Sequence, residues 1–174
     1  MTLLCDLAMK YGTDKCPQIK HSFTPFYYNL LKDKPIKKVL EMGILGGASL
    51  RMWRDFFPNA QIYGADIQTR ALLKEDRIET FYCNQLKRDD LVTLLEKTGT
   101  DIDLFVDDGL HNKESQLFTA QNLMPLFKKD VIYIMEDVRS PEWLATELPD
   151  YICEVPELVG KKHHDDRLLI VKNK

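Results

Sequence analysis

The sequence predicts an α/β fold: a doubly wound, seven-stranded and mostly parallel sheet with an antiparallel final strand. Three observations lead there. Apolar runs of strand length alternate with helical segments from Lys38 onward. The first run passes without a gap through Gly43, Gly46 and Gly47 into an amphipathic helix. The residues that end the runs are polar, as they are where an open α/β sheet binds its ligand.

Taken in order, Leu3, Leu4, Leu7, Ala8 and Tyr11 recur at helical spacing and Gly12 is placed to cap a helix over 3–11. A polar turn follows, with Thr13, Lys15 and His21. Thr24-Pro25 reads as an N-cap with proline at the first helical position, opening a helix over 25–33. The strand runs are Val39–Ile44, Ile62–Ile67, Ile78–Asn84, Ile102–Val106, Val131–Met135, Tyr151–Val155 and Leu168–Val171. Helices are expected between them at 48–57, 69–74, 88–97, 113–127 and 141–147. Residues 156–166 are too few for a crossover helix, so the last two runs should pair as an antiparallel hairpin. Its tip, with Lys161, Lys162, His163, His164, Asp165 and Asp166, reads as a solvated loop.

At 174 residues the chain is one domain, 1–174, with 1–35 as an N-terminal helical cap segment. That segment should fold over the crevice, and a chain starting near Pro35 should still fold. Composition is that of a globular protein, 44% hydrophobic and 29% charged, with net charge −3. No basic stripe is available for nucleic acid, and no apolar run is long enough to span a membrane. Met1 to Asp6 has no signal-peptide pattern, so a cytoplasmic location follows. Cys5, Cys16, Cys83 and Cys153 show no metal spacing and read as free thiols.

The ligand is read from the strand ends. Leu45 occupies the second glycine position of a dinucleotide fingerprint, which disfavours NAD. Glu41 before the loop and Asp66 at the end of the second run instead suit S-adenosylmethionine (SAM), with Asp66 placed for a ribose diol. The alternative is an ordinary βαβ turn. Asp107-Asp108, His111 and Glu136-Asp137 gather four carboxylates and a histidine on two neighbouring strand ends. Unpaired carboxylates that crowd together repel, and a hard divalent cation such as Mg²⁺ relieves them. Only one of Asp107 and Asp108 should face such an ion, because adjacent residues on a strand point to opposite faces. Helix capping or pairing with Lys and Arg is the other reading of these acids. His111, beside them, is placed to act as a general base.

Tyr11-Gly12-Thr13-Asp14-Lys15, His21, Thr24-Pro25, Leu40-Glu41-Met42-Gly43, Gly47 to Trp53, Phe57-Pro58, Asp107 to His111 and Glu136-Asp137 together resemble the macrolide-sugar O-methyltransferases of the mycinamicin and macrocin type. The resemblance implies a Rossmann-like SAM-dependent methyltransferase fold. It implies Asp108, Glu136 and Asp137 as Mg²⁺ ligands and His111 as the catalytic base. Glu41, Gly43, Ser49, Asp66 and Gln85 would hold SAM, with Thr13, Lys15 and Asp107 assigned to the same cofactor. The substrate would be a hydroxyl of a sugar or glycosylated natural product, or a glycan. Leu110 departs from the small Ser of the family's Asp-Gly-Ser-His element. These 174 residues also hold no counterpart of the large additional N-terminal domain of some members, which leaves less protein to cover a macrolide. The remaining readings are a metal-independent N- or O-methyltransferase and a non-catalytic SAM-binding protein. A homo-oligomer would give a small domain's crevice more cover.

Overall fold

A computed structural model describes residues 1–160, 163–164 and 166–174. Lys161, Lys162 and Asp165 of the expected hairpin tip lie outside the described residues. The elements are α1 (Leu3–Tyr11), α2 (Thr24–Leu31), β1 (Lys38–Met42), α3 (Ala48–Phe56), β2 (Gln61–Asp66), β3 (Lys74–Glu75), β4 (Ile78–Tyr82), α4 (Arg88–Thr98) and β5 (Leu104–Asp107), followed by α5 (Lys113–Leu123), β6 (Ile132–Met135), α6 (Pro141–Glu147), β7 (Tyr151–Glu154) and β8 (Leu169–Asn173). They build one sheet in the order β3-β4-β2-β1-β5-β6-β8-β7.

The sheet has eight strands rather than seven. The expected short helix at 69–74 is a single 3-10 turn, Thr69–Ala71, and the chain then adds Lys74–Glu75 antiparallel to β4. Two residues between turns are too few to show a period, so that edge strand left no pattern to read. β4, β2, β1, β5 and β6 are parallel, whereas β8 runs antiparallel to both β6 and β7. The expected terminal hairpin is therefore present.

Alternation along the strands divides the core into two layers. Val39, Leu104, Val106 and Ile134 face α1, α2 and α3, packing with Leu4, Ala8, Tyr27, Leu31, Leu50 and Trp53. Leu40, Met42, Phe105, Tyr133 and Met135 face the opposite layer with Leu91, Leu95, Ala120 and Leu123. The N-terminal segment thus supplies part of one core layer, with Leu4, Ala8, Cys16, Phe23, Tyr27 and Leu31 buried in it, which argues against the expectation that a chain starting near Pro35 would fold. Gly12, with φ +75°, ends α1 as expected, donating its N–H to Ala8 O. Thr24 departs from its expected role. It lies inside α2 at full burial, its hydroxyl against Cys5 Sγ at 3.2 Å, and Phe23 holds the cap position without a side-chain bond. α5 ends at Leu123 rather than 127. No described helix is long and apolar enough to cross a membrane. The four cysteines are free.

Candidate active site

At the carboxyl ends of β1, β2, β4 and β5 lies a cavity of about 620 Å³. Gly43 begins its floor. The backbone there has φ +84°, and a Cβ would stand 2.1 Å from Asp108 O, so glycine is required where β1 and the loop after β5 close on each other. Gly47, also left-handed, leads into α3, whose first-turn N–H groups have no side-chain cap. Thr13, Gly43, Ser49, Asp66 and Gln85, all expected at the cofactor, line the cavity. Asn84, which ends the third run, lines it as well, and so do Ile67, Gln68 and Leu86, which were not singled out from sequence. Their signal was position alone, since they directly follow or flank strand-end residues that had been named. Ile67 and Leu86 are half exposed, leaving an apolar slot suited to a planar ring.

Lys15, Glu41 and Asp107, assigned to the same cofactor, are buried and lie outside that lining. Strand alternation supplies the reason. Glu41 shares the face of Val39, pointing under the glycine loop toward α3, where it accepts from Ser49 Oγ and Trp53 Nε1, each at 2.6 Å. Asp107 points to the other face, accepting from Tyr133 Oη at 2.8 Å and, at 3.4 Å, from Gln85 Nε2. Burial pushes its carboxyl up to about 6. Gln85 in turn accepts the Leu110 N–H at 2.7 Å, which fixes the loop carrying His111. Asp66 takes the N–H groups of Ile44, Leu45 and Gln68 at 3.0, 3.3 and 2.8 Å, so it orders the glycine loop while facing the cavity.

At the mouth Asp108, His111 and Asp137 bring ligand atoms within 4.8 Å of one another. His111 Nε2 is 3.1 Å from Asp108 Oδ1 and Nδ1 is 3.3 Å from Asp137 Oδ2. Asp137 has φ +52° and its Oδ1 is buried with no hydrogen-bond partner. An ordinary residue held in the left-handed region is strained backbone of the kind that clusters at functional sites. Oxygen donors in the majority suit Mg²⁺ better than zinc. Asp108 first, then Asp137, hold the His111 imidazole up at about 9 against burial. With those carboxylates uncompensated it is an acid.

Glu136, the third expected ligand, lies one layer deeper. It accepts from Lys15 Nζ and from Tyr27 Oη, each at 2.6 Å, and burial holds its carboxyl well above the usual range. Tyr27 was missed from sequence because it reads as an apolar-face residue of α2. His21 is buried behind Asp137, its Nε2 3.5 Å from Oδ1, and its Nδ1 meets Asp166 at 2.7 Å. Asp166, expected in a solvated loop, is therefore a buried partner that fastens the β7–β8 connection to the N-terminal segment, whereas His163 and His164 are exposed.

This sheet order, with a cavity at the strand ends, is the Rossmann-like fold of the class I SAM-dependent methyltransferases. Comparison with known proteins agrees. The chain is 34% identical over 142 residues to the 8-demethyl-8-(2-methoxy-alpha-L-rhamnosyl)-tetracenomycin-C 3'-O-methyltransferase of Streptomyces olivaceus, covering 76% of this chain and 36% of that protein. It is 33% identical over 149 residues to the mycinamicin VI 2''-O-methyltransferase of Micromonospora griseorubida, with coverage of 80% and 37%. Among solved structures, the MycE methyltransferase of the mycinamycin pathway in complex with Mg, SAH and mycinamycin VI superposes with a TM-score of 0.77 at 25% identity, over 98% of this chain and 54% of that one. No protein-family profile matches. The chain has the fold of the class I SAM-dependent methyltransferases and is similar in sequence to the sugar O-methyltransferases of glycosylated natural products. It spans little more than a third of the length of those curated relatives.

Proposed function

We propose that this domain transfers a methyl group from SAM to a hydroxyl of a sugar carried by a glycosylated small molecule or glycan, with Mg²⁺ as a second cofactor. The observation that carries the reading is the Asp108, His111 and Asp137 cluster opening onto the same cavity as Gly43, Ser49 and Asp66. Asp66 is placed for the ribose diol, Ile67 and Leu86 for the adenine faces, and Thr13 and Gln85 close the cavity from opposite sides. Glu41 and Asp107 act from below by ordering Ser49 and Gln85. Asp108 and Asp137 would hold the ion, with Glu136, behind Asp108 and bonded to Lys15 and Tyr27, as the proposed third carboxylate. A divalent ion there would lower the pKa of a sugar hydroxyl and orient it. His111 removes that proton while the surrounding loops hold the oxygen toward the methyl donor. The free thiols accord with a cytoplasmic protein, and the net charge of −3 argues against nucleic acid as the partner. A homo-oligomer would add cover to the cavity mouth.

The test is methyl transfer to a panel of glycosides with adjacent free hydroxyls, read by mass spectrometry with and without chelator. His111→Ala should keep affinity for the demethylated cofactor and lose roughly 10²- to 10⁴-fold in turnover. Asp137→Ala should weaken metal affinity and recover in part at higher Mg²⁺. The ammonium of Lys15 among the acids favours one other reading, a metal-independent transferase. Full turnover in excess EDTA would establish that reading instead.

A further inference from the structure

Lys15 is 1% exposed, and its Nζ stands 2.5 Å from Asp108 Oδ2, 2.6 Å from Glu136 Oε2 and 3.5 Å from Glu41 Oε1. The three acids come from β1, from the end of β5 and from the end of β6, and they meet on one face of the sheet because strand alternation puts them there. The ammonium comes from the turn after α1. That turn is pinned, since Lys15 O accepts the N–H groups of Phe23 and Thr24, each at 3.1 Å. A compact cation ringed by carboxylate oxygens is also how a hard metal ion is held. Asp108 faces both ways, Oδ2 toward Lys15 and Oδ1 toward His111.

We propose that Lys15 is a positioning residue of the metal centre: a built-in cation that neutralises Asp108 and Glu136 and keeps them in place whether or not a divalent ion is bound. The inference rests on the metal reading above. Without Lys15, three crowded acids, Glu41 and Glu136 buried and Asp108 partly so, would face one another with no ammonium between them, and the fold itself would lean on the ion. With it, the ion must share Asp108 with a resident positive charge, which weakens its binding.

Thermal melts of the full chain in EDTA and in MnCl₂, with Mn²⁺ affinity from calorimetry, test this without measuring turnover. Lys15→Met should melt lower than wild type in EDTA, on the order of 10 °C. It should regain most of that at saturating Mn²⁺ and bind Mn²⁺ more tightly, on the order of tenfold. Lys15→Met with Glu136→Gln removes a cation and an anion together, so it should melt above the single variant in EDTA and gain less from the ion. That variant stays readable even where the single one does not fold in EDTA. Equal gains from Mn²⁺ in wild type and Lys15→Met, or no rescue by the second substitution, would overturn the role of Lys15 and leave the metal reading standing. A wild-type chain that ignores Mn²⁺ in both measurements would overturn the metal reading and this role with it.

Discussion

A methyl group at position 43 would have nowhere to go, because the obstacle 2.1 Å away is the Asp108 main chain and not a side chain able to turn aside. The positive φ adds strain for any L-residue. Gly43→Ala should therefore cost about 2–4 kcal/mol by chemical denaturation and loosen the cofactor cavity; a variant as stable as wild type would show that the two loops can part. Thiol chemistry offers a second check on single residues. Burial, and after it the charge of Asp90, pushes the Cys83 thiol up to about 12, while Cys5 and Cys16 are fully enclosed. Cys153 alone is partly exposed, so iodoacetamide on the native chain should label it first and leave the other three until unfolding. Gly43, Asp66 and Asp108 could be singled out from sequence since each ends a strand run. The direction of each neighbouring acid could not be fixed so easily. Glu41 and Asp107 sit beside cavity residues in sequence and point away from the cavity, one to each face of the sheet, toward partners on α3 and β6 that only the fold brings close.

The start of β1 shows how one side chain can fasten an element. Asp103, just before β5, accepts the N–H groups of Lys37 and Lys38 at 2.6 and 2.8 Å and pairs with the Lys128 ammonium. Burial works against the charged carboxyl, but Lys128 and those two N–H groups outweigh it and hold its pKa below the ordinary value of 3.8. A depressed acid contributes stability above its unfolded pKa and loses it as pH falls through the folded one. Asp103→Ala should thus cost about 1.5–3 kcal/mol near neutrality, as for hydrogen bonds to a charged group. The gap to wild type should close below about pH 4 when urea midpoints are compared across pH. A gap that stayed constant into acid would mean that packing rather than charge is responsible. Most elements were legible because their apolar residues repeat over two turns of helix or four residues of strand. β3 and the shortened end of α5 were not, being set by edge pairing and by the turn at Met124 rather than by period.

At the scale of the whole molecule, helices α1 and α2 precede the first strand and look detachable in sequence. In the fold they cover one face of the sheet. Leu4, Phe23, Tyr27 and Leu31 are fully buried against Val39, Leu50 and Trp53, Tyr27 Oη satisfies Glu136, and Lys15 is the cation that the three central acids share. Burying each such large side chain is worth about 1.5–3 kcal/mol, so these four alone supply about 6–12 kcal/mol, comparable with the about 5–15 kcal/mol that keeps a whole domain folded. Removing residues 1–34 would also leave Glu41, Asp108 and Glu136 without the Lys15 counter-charge. The shortened chain should then lack a cooperative thermal transition and near-ultraviolet circular dichroism, and it should bind no SAM. A sharp melt from that fragment, with the demethylated cofactor still bound, would restore the view of residues 1–35 as a lid. Complementation is the finer form of the test. A peptide spanning residues 1–34, added in trans, should restore the transition with its own Lys15 present and fail to do so when it carries Lys15→Met in EDTA, because apolar cover alone leaves the acids unpaired.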